Sequence, residues 1–176
     1  MYFPWVDPIM GFKKTSEVIA ISFDLAESAA NTFTTSQVDL TLSPLDQEVF
    51  VCVAVDLDPT APEAIAATRT SSNANITKSL QTSYLNLGNS NTIAVSNRGL
   101  ITSAADAPAP FEHTSLDSPV ANLDYVDIIA TNNFFVGIVG ANNTIPMSVS
   151  GRLWGYRARA DAATDAALVQ GEVGSA

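Results

Sequence analysis

Residues 49–57 read Val-Phe-Val-Cys-Val-Ala-Val-Asp-Leu, and the fold turns on how they are read. Successive side chains of a strand point to opposite faces. Val49, Val51, Val53 and Val55 then line one face, and Phe50, Cys52 and Ala54 the other. Both faces are apolar, which predicts a central strand covered on both sides. β-Branched residues at alternate positions favour a pleated surface over a helix, because their stiff χ1 angles suit it better. Asp56, Asp58 and Pro59 close the run. Val53 lies at its middle, so a charge placed there is expected to abolish folding.

On the N-terminal side, Glu17–Leu25 alternates as a first strand. Thr34–Leu42 follows, with Val38, Leu40 and Leu42 inward and Gln37, Asp39 and Thr41 outward. On the C-terminal side, Pro59–Asn75 reads as a connection, with a helical turn at Glu63–Thr68. Ile76–Leu85 and Thr92–Ser96 are the next expected strands. Leu100–Ser118 reads as a long connection carrying His113, and connections of that length are usually functional or packed on a partner. Tyr125–Thr131 and Phe134–Val139 are expected to form a hairpin through Asn132-Asn133, since Asn tolerates the positive φ of a tight turn. Met147–Tyr156 is the last strand. From Arg159 to Val173 the composition favours helix, with Asp161 or Thr164 as N-cap. Its apolar stripe is thin, so that helix needs a partner surface.

Eight strands, short turns and no βαβ alternation predict an all-β, antiparallel two-sheet sandwich. An immunoglobulin-like sandwich would place paired cysteines around a core Trp, and these are absent. Eight strands fit a jelly roll better. The chain divides into an extended N-terminal arm (1–16), a sandwich domain (17–158) and a short helical tail (159–176).

Charged residues make up 15% of the chain, against roughly 25% in ordinary soluble domains, while hydrophobic residues reach 47%. Mean hydropathy is +0.18, yet no apolar run approaches the roughly 18 residues of a membrane span. The start lacks the basic segment and uninterrupted apolar core of a signal peptide. Sparse charge leaves a surface that is cheap to desolvate, which suits permanent subunit contacts. A net charge of -10, with only Lys13-Lys14 and Arg152/Arg157/Arg159 as basic groupings, argues against direct nucleic-acid binding.

Catalytic and cofactor signatures are weak. His113, Ser115 and Asp117 share one short loop, where they cannot easily reach triad geometry, and no Gly-x-Ser-x-Gly elbow accompanies them. One Cys and one His leave no zinc or thiol site. Asp56 with Asp58 could accept calcium beside loop carbonyls, as could Asp124 and Asp127, but acidic residues closing strand ends in water explain them better. The expectation is therefore no cofactor, no metal and no catalytic residue. Asn75-Ile76-Thr77 and Asn142-Asn143-Thr144 match the glycosylation pattern, which Ser/Thr/Asn-rich chains produce by chance.

Aromatic residues carry the remaining signal. Tyr2, Phe3, Trp5 and Phe12 lie in a proline-punctuated arm, and large rigid side chains make good interface anchors. The run Gly151–Arg159 holds Trp154 and Tyr156 on one strand face, with Arg157 able to pair with carboxylates or stack on aromatics. Tyr2, Phe3, Trp5, Phe12, Phe111, Trp154, Tyr156 and Arg157 are the residues expected at subunit contacts.

A sandwich of this size with an aromatic arm, a long loop and a terminal helix resembles the single jelly-roll capsid proteins of small icosahedral viruses. The strands from Val18 to Tyr156 carry the resemblance. It implies a non-enzymatic structural subunit of the virion that tiles with copies of itself and other capsid components, its termini reaching into neighbours. Many genome-packaging members carry a basic arm, whereas only Lys13-Lys14 stands here. That departure implies neutralisation of the genome by another component, or an inner layer or internal membrane touched peripherally. The competing reading is a carbohydrate-binding sandwich using Trp154, Tyr156 or Tyr84. It predicts a monomer with an exposed aromatic platform, where the assembly reading predicts aromatics covered by protein.

Overall fold

The computed structural model describes residues 12–102, 110–114 and 123–174. Its strands are β1 (Phe12–Lys14), β2 (Ile19–Ala26), β3 (Thr34–Asp39), β4 (Glu48–Pro59), β5 (Arg69–Thr77), β6 (Thr92–Thr102), β7 (Pro110–Thr114), β8 (Asp127–Ile129), β9 (Asn133–Ala141) and β10 (Ser148–Ala160). A 3-10 turn spans Pro44–Asp46, and helix α1 (Ala162–Gly174) closes the chain.

Two antiparallel five-stranded sheets result. In the first, β10 pairs with β4, and β4 with β8. The other edge of β10 is shared: β2 pairs with residues 148–155 and β1 with residues 158–160. The second sheet runs β3-β9-β5-β6-β7. From β2 onward the chain crosses between sheets except where β5, β6 and β7 follow one another in the second, so that β2-β10-β4-β8 faces β3-β9-β5-β6. This is the strand order of a jelly roll, as expected, with β1 and β7 added at the edges.

The strand at 49–57 is central and doubly covered, but its faces are not the ones strict alternation gives. Trp154 pairs with Ala54 and Gly155 with Cys52, so Val53 is an extra residue without a partner on β10. A bulge inserts one residue and switches which side chains point inward. Phe50 and Cys52 face the core before it, and Val55 and Leu57 after it. Val49 and Val51 point the other way, into a second apolar cluster. Val53 is half-buried, so the expectation that it is a core residue is corrected.

The main core lies between the sheets and includes Phe50, Leu57, Ile76, Phe134, Ile138, Val149 and Leu153. The second cluster sits outside the first sheet. Val49, Val51, Ile128, Ala158 and Ala160 are buried there, with Phe12, Tyr156 and Leu168 packed against them. The outer face of the first sheet therefore supplies the surface that the thin helical stripe required. Of the two candidate caps Asp161 is the one used, its Oδ1 accepting the Thr164 N–H at 2.8 Å.

Three sequence expectations fail for identifiable reasons. The fourth strand was expected at 76–85, but β5 occupies 69–77. Its inward positions Thr70, Ser72, Ala74 and Ile76 are buried beneath neighbours on both sides, and central placement overrides their polar look. Residues 78–91 instead form a loop over the second sheet, where Asn75 Nδ2 donates to Leu85 O at 2.9 Å and the Tyr84 hydroxyl donates to Asn97 Oδ1 at 2.5 Å. The Asn132-Asn133 hairpin does not form: β8 and β9 lie in different sheets, and the connection crosses between them. Asn132 is exposed and bonds to the segment after β3, its Oδ1 accepting the Leu42 N–H at 2.6 Å and its carbonyl the Leu40 N–H at 2.9 Å. Finally, the 100–118 connection is shorter than expected, because β6 runs to Thr102 and β7 pairs with it.

Candidate functional site on the outer face of the first sheet

β1 and α1 cover only one half of the first sheet's outer face. Among the described residues the other half is open, and register decides what it displays. Side chains directly opposite on neighbouring strands share a face. One row across β2, β10 and β4 is Asp24–Ser150–Asp58, the next Ser22–Arg152–Asp56, and the third Ala20–Trp154–Ala54. The bulge at Val53 brings Asp56 and Asp58 to this face. Without it, these carboxylates would point into the core.

A cleft of about 500 Å³ lies here, lined by Ser22, Phe23, Asp56, Asp58, Ser150, Gly151, Arg152 and Trp154. Arg152 is held in place: its Nε donates to Ser22 Oγ at 3.2 Å, and its guanidinium carbon stands 5.7 Å from the centre of the Trp154 ring. A hollow of about 230 Å³ adjoins the cleft, reaching Thr60, Arg98 and Ser148. Arg98 donates to Pro59 O at 2.9 Å and lies 3.5 Å from the Asp58 carboxylate.

The end of the sandwich beside this hollow is clasped by polar side chains, of which Glu27 and Asn143 are buried. Glu27 is 5% exposed and accepts the N–H groups of Gly140 and Met147, each at 2.7 Å. The Asn31 side chain donates to Asn143 O at 2.7 Å and accepts the Asn143 N–H at 2.9 Å. Glu63 accepts from the Thr144 N–H and hydroxyl and from the Ile145 N–H, and the Thr144 bonds hold its carboxyl below the usual Glu range. These clasps join the β2–β3, β4–β5 and β9–β10 connections into one rigid rim.

The expected contact residues fall in different places. Tyr2, Phe3 and Trp5 lie outside the described residues. Phe12 is half-buried against the second cluster, in register with Ala160. Phe111 is in β7, in backbone register with Ile101. Tyr156 carries Lys14 Nζ 5.2 Å above its ring, and burial together with the Asp124 carboxylate pushes its hydroxyl pKa up. Arg157 is half-buried and serves the fold: Nη2 donates to Leu40 O at 3.2 Å, while its backbone bonds residues 15 and 16. Among the described residues of this set, Trp154 lines the open cleft.

The other sequence candidates resolve similarly. Asp56 and Asp58 share the cleft as their spacing implied, and Asp127 accepts from Lys78 at 3.2 Å. Among the described residues, no grouping of three or more His, Cys, Asp or Glu could hold a metal ion. His113 lies in β7, whereas Ser115 and Asp117 are outside the described residues. Asn75 is 1% exposed, so its match to the glycosylation pattern is structural. Tyr84 is engaged with Asn97, and its burial raises its hydroxyl pKa. Asp24, Ser22 and Arg98 were not singled out from sequence. The outward alternation of β2 marks the first two, while Arg98 meets Asp58 only through packing of the two sheets. Among the described residues no helix is long and apolar enough to cross a membrane. No protein-family model matches the chain, and no curated protein matches it in sequence.

Proposed function

We propose that the protein is a structural subunit that assembles with copies of itself, a capsid tile of the single jelly-roll kind. The observation that carries this reading is where exposed apolar side chains sit. Val18 and Ile19 lie at the edge of β2 that has no partner strand among the described residues, and Ile101 lies near the end of β6. Leu45, Leu80, Leu87, Leu123 and Ile145 lie on connections, Leu45 being 97% exposed. Tiles meet through edges and loop tips, so apolar groups concentrated there favour self-association over a ligand platform. A surface with few charges lowers the cost of burying them.

The test is the mass of the purified full chain by light scattering after size exclusion, across a concentration series. A discrete multimer or closed particle is the expected result. Lysine at Ile19 and Leu45 together is expected to shift the population toward monomer without lowering the melting temperature. A monomer of 18.5 kDa at every concentration overturns the reading.

A further inference from the structure

We infer that the open cleft on the first sheet is a binding site for a neutral saccharide, with Trp154 as its stacking platform. This inference is independent of the assembly reading, since the cleft lies on a sheet face and the proposed contacts on edges and loop tips.

The geometry begins with the third row of the face. Trp154 stands between Ala20 on β2 and Ala54 on β4, the smallest flanks that still carry a side chain. Low neighbours leave the indole open along the row, the Arg152 guanidinium stands over one face of the ring, and Trp154 is only half-buried. An aromatic face in this setting takes up the C–H face of a sugar ring, which is weakly positive where the ring's π cloud is negative. The next two rows are hydrogen-bonding groups: Ser22, Arg152 and Asp56, then Asp24 and Asp58 on either side of Ser150. Rows repeat about every 7 Å along a strand and strands lie about 5 Å apart, so a sugar stacked on Trp154 has its hydroxyls within reach of the second row. A following ring reaches the first, Asp24–Ser150–Asp58. Carboxylates accept from hydroxyls, and the guanidinium donates to them, so both roles of each sugar hydroxyl can be met. The cleft volume of about 500 Å³ falls within the range of small-ligand sites.

Charge selects among ligands. Asp24, Asp56 and Asp58 face the cleft and its hollow, while the two cations beside them, Arg98 and Arg152, already hold Asp58 and Ser22. With a chain charge of -10 as background, sulfated, sialylated or phosphorylated ligands are repelled. Support for the site is rigid: Gly151 allows the Phe23 ring to lie beneath β10, where that ring meets Phe134 edge-on at 5.9 Å. The clasped rim fixes the strand ends.

The experiment uses the full chain with Trp5→Phe, so that Trp154 is the only indole. Neutral gluco-, galacto- and manno-oligosaccharides and N-acetylglucosamine oligomers are titrated while its emission is followed, with heparin and sialyllactose as anionic controls. At least one neutral series is expected to shift the emission, with a dissociation constant of about 1 mM or tighter. In the Trp5-containing chain, calorimetry with that sugar is expected to show at least a tenfold loss for Trp154→Ala and for Asp56→Asn. Melting temperature and particle mass are expected to stay unchanged. Absence of neutral binding, a preference for the anionic controls, or full binding by Trp154→Ala overturns the inference. A fall in particle mass with Trp154→Ala, without any sugar binding, also overturns it and makes the face a subunit contact. A monomeric protein that binds sugar through Trp154 would instead remove the assembly reading alone.

Discussion

Gly155 lies directly under the ring of Phe50: a Cβ at Gly155 would stand 2.3 Å from Phe50 Cε1 and 2.4 Å from the Val51 carbonyl oxygen. Phe50 is fully buried, and it fills the inner face of β4 just before the bulge. The ring and the missing side chain are one packing unit. Gly155→Ala must therefore displace backbone as well as a side chain, and a cost of about 3 kcal/mol or more is expected. Gly99 is the control, because a Cβ there meets nothing within 4 Å. Gly99→Ala is expected to be neutral or to stabilise by up to about 1 kcal/mol through the unfolded state. Urea melts of the two variants decide it, and equal losses would contradict this packing.

The bulge makes two neighbouring valines respond differently to the same change. Val51 is 0% exposed, between β10 and the surface supplied by β1 and α1. Val51→Asp buries an unpaired charge and is expected to leave no folded protein. Val53 has no partner on β10 and is half-buried, so Val53→Asp is expected to stay soluble and melt cooperatively, at a cost of about 2 kcal/mol. Circular dichroism melts of both variants test the displaced register. Loss of folding at Val53→Asp would restore strict alternation.

Glu27 ties two connections together from inside the fold. Removing it by Glu27→Ala leaves the Gly140 and Met147 N–H groups without their acceptor, and a loss of about 3 kcal/mol is expected. Glu27→Gln keeps one amide oxygen and should lose less. Hydrogen exchange at Gly140 and Met147 would rise in the alanine variant, and unchanged protection there would exclude the clasp.

Glu63 gives the rim a pH dependence. Its carboxyl is held below the ordinary Glu value of 4.5 by the Thr144 N–H and hydroxyl. A folded pKa below the unfolded one contributes stability that is complete above about 4.5 and is lost as pH falls through the lowered value. The amide resonances of Thr144 and Ile145 are expected to titrate with a midpoint below 4.5, and Glu63→Gln should abolish that titration. Asp161, capped onto Thr164, is also lowered, and α1 should fray over a similarly acidic window. A midpoint at or above 4.5 for Thr144 would contradict the clasp.

Much of this architecture is legible residue by residue. The alternation of Thr34–Leu42 places Leu40 and Leu42 in the core and Gln37, Asp39 and Thr41 in solvent. Asp56 and Asp58, two apart, do project together. Arg69–Thr77 was illegible because its small polar side chains resemble a loop, and only neighbours on both edges make it a strand. Asn132-Asn133 carries a turn's residue types, yet these say nothing about which sheet the next strand joins.

Local chemistry determined the all-β character, the buried strand at 49–57 and the capped C-terminal helix, because periodicity, β-branching and capping act within a few residues. Tertiary structure decided the rest. The bulge at Val53 exists because β10 pairs with β4 out of step between Trp154 and Gly155. That slip turns Asp56 and Asp58 outward beside Arg152 and Trp154, residues nearly a hundred positions away. Register between distant strands is set by packing over the whole sandwich, and no stretch of the chain holds that information alone.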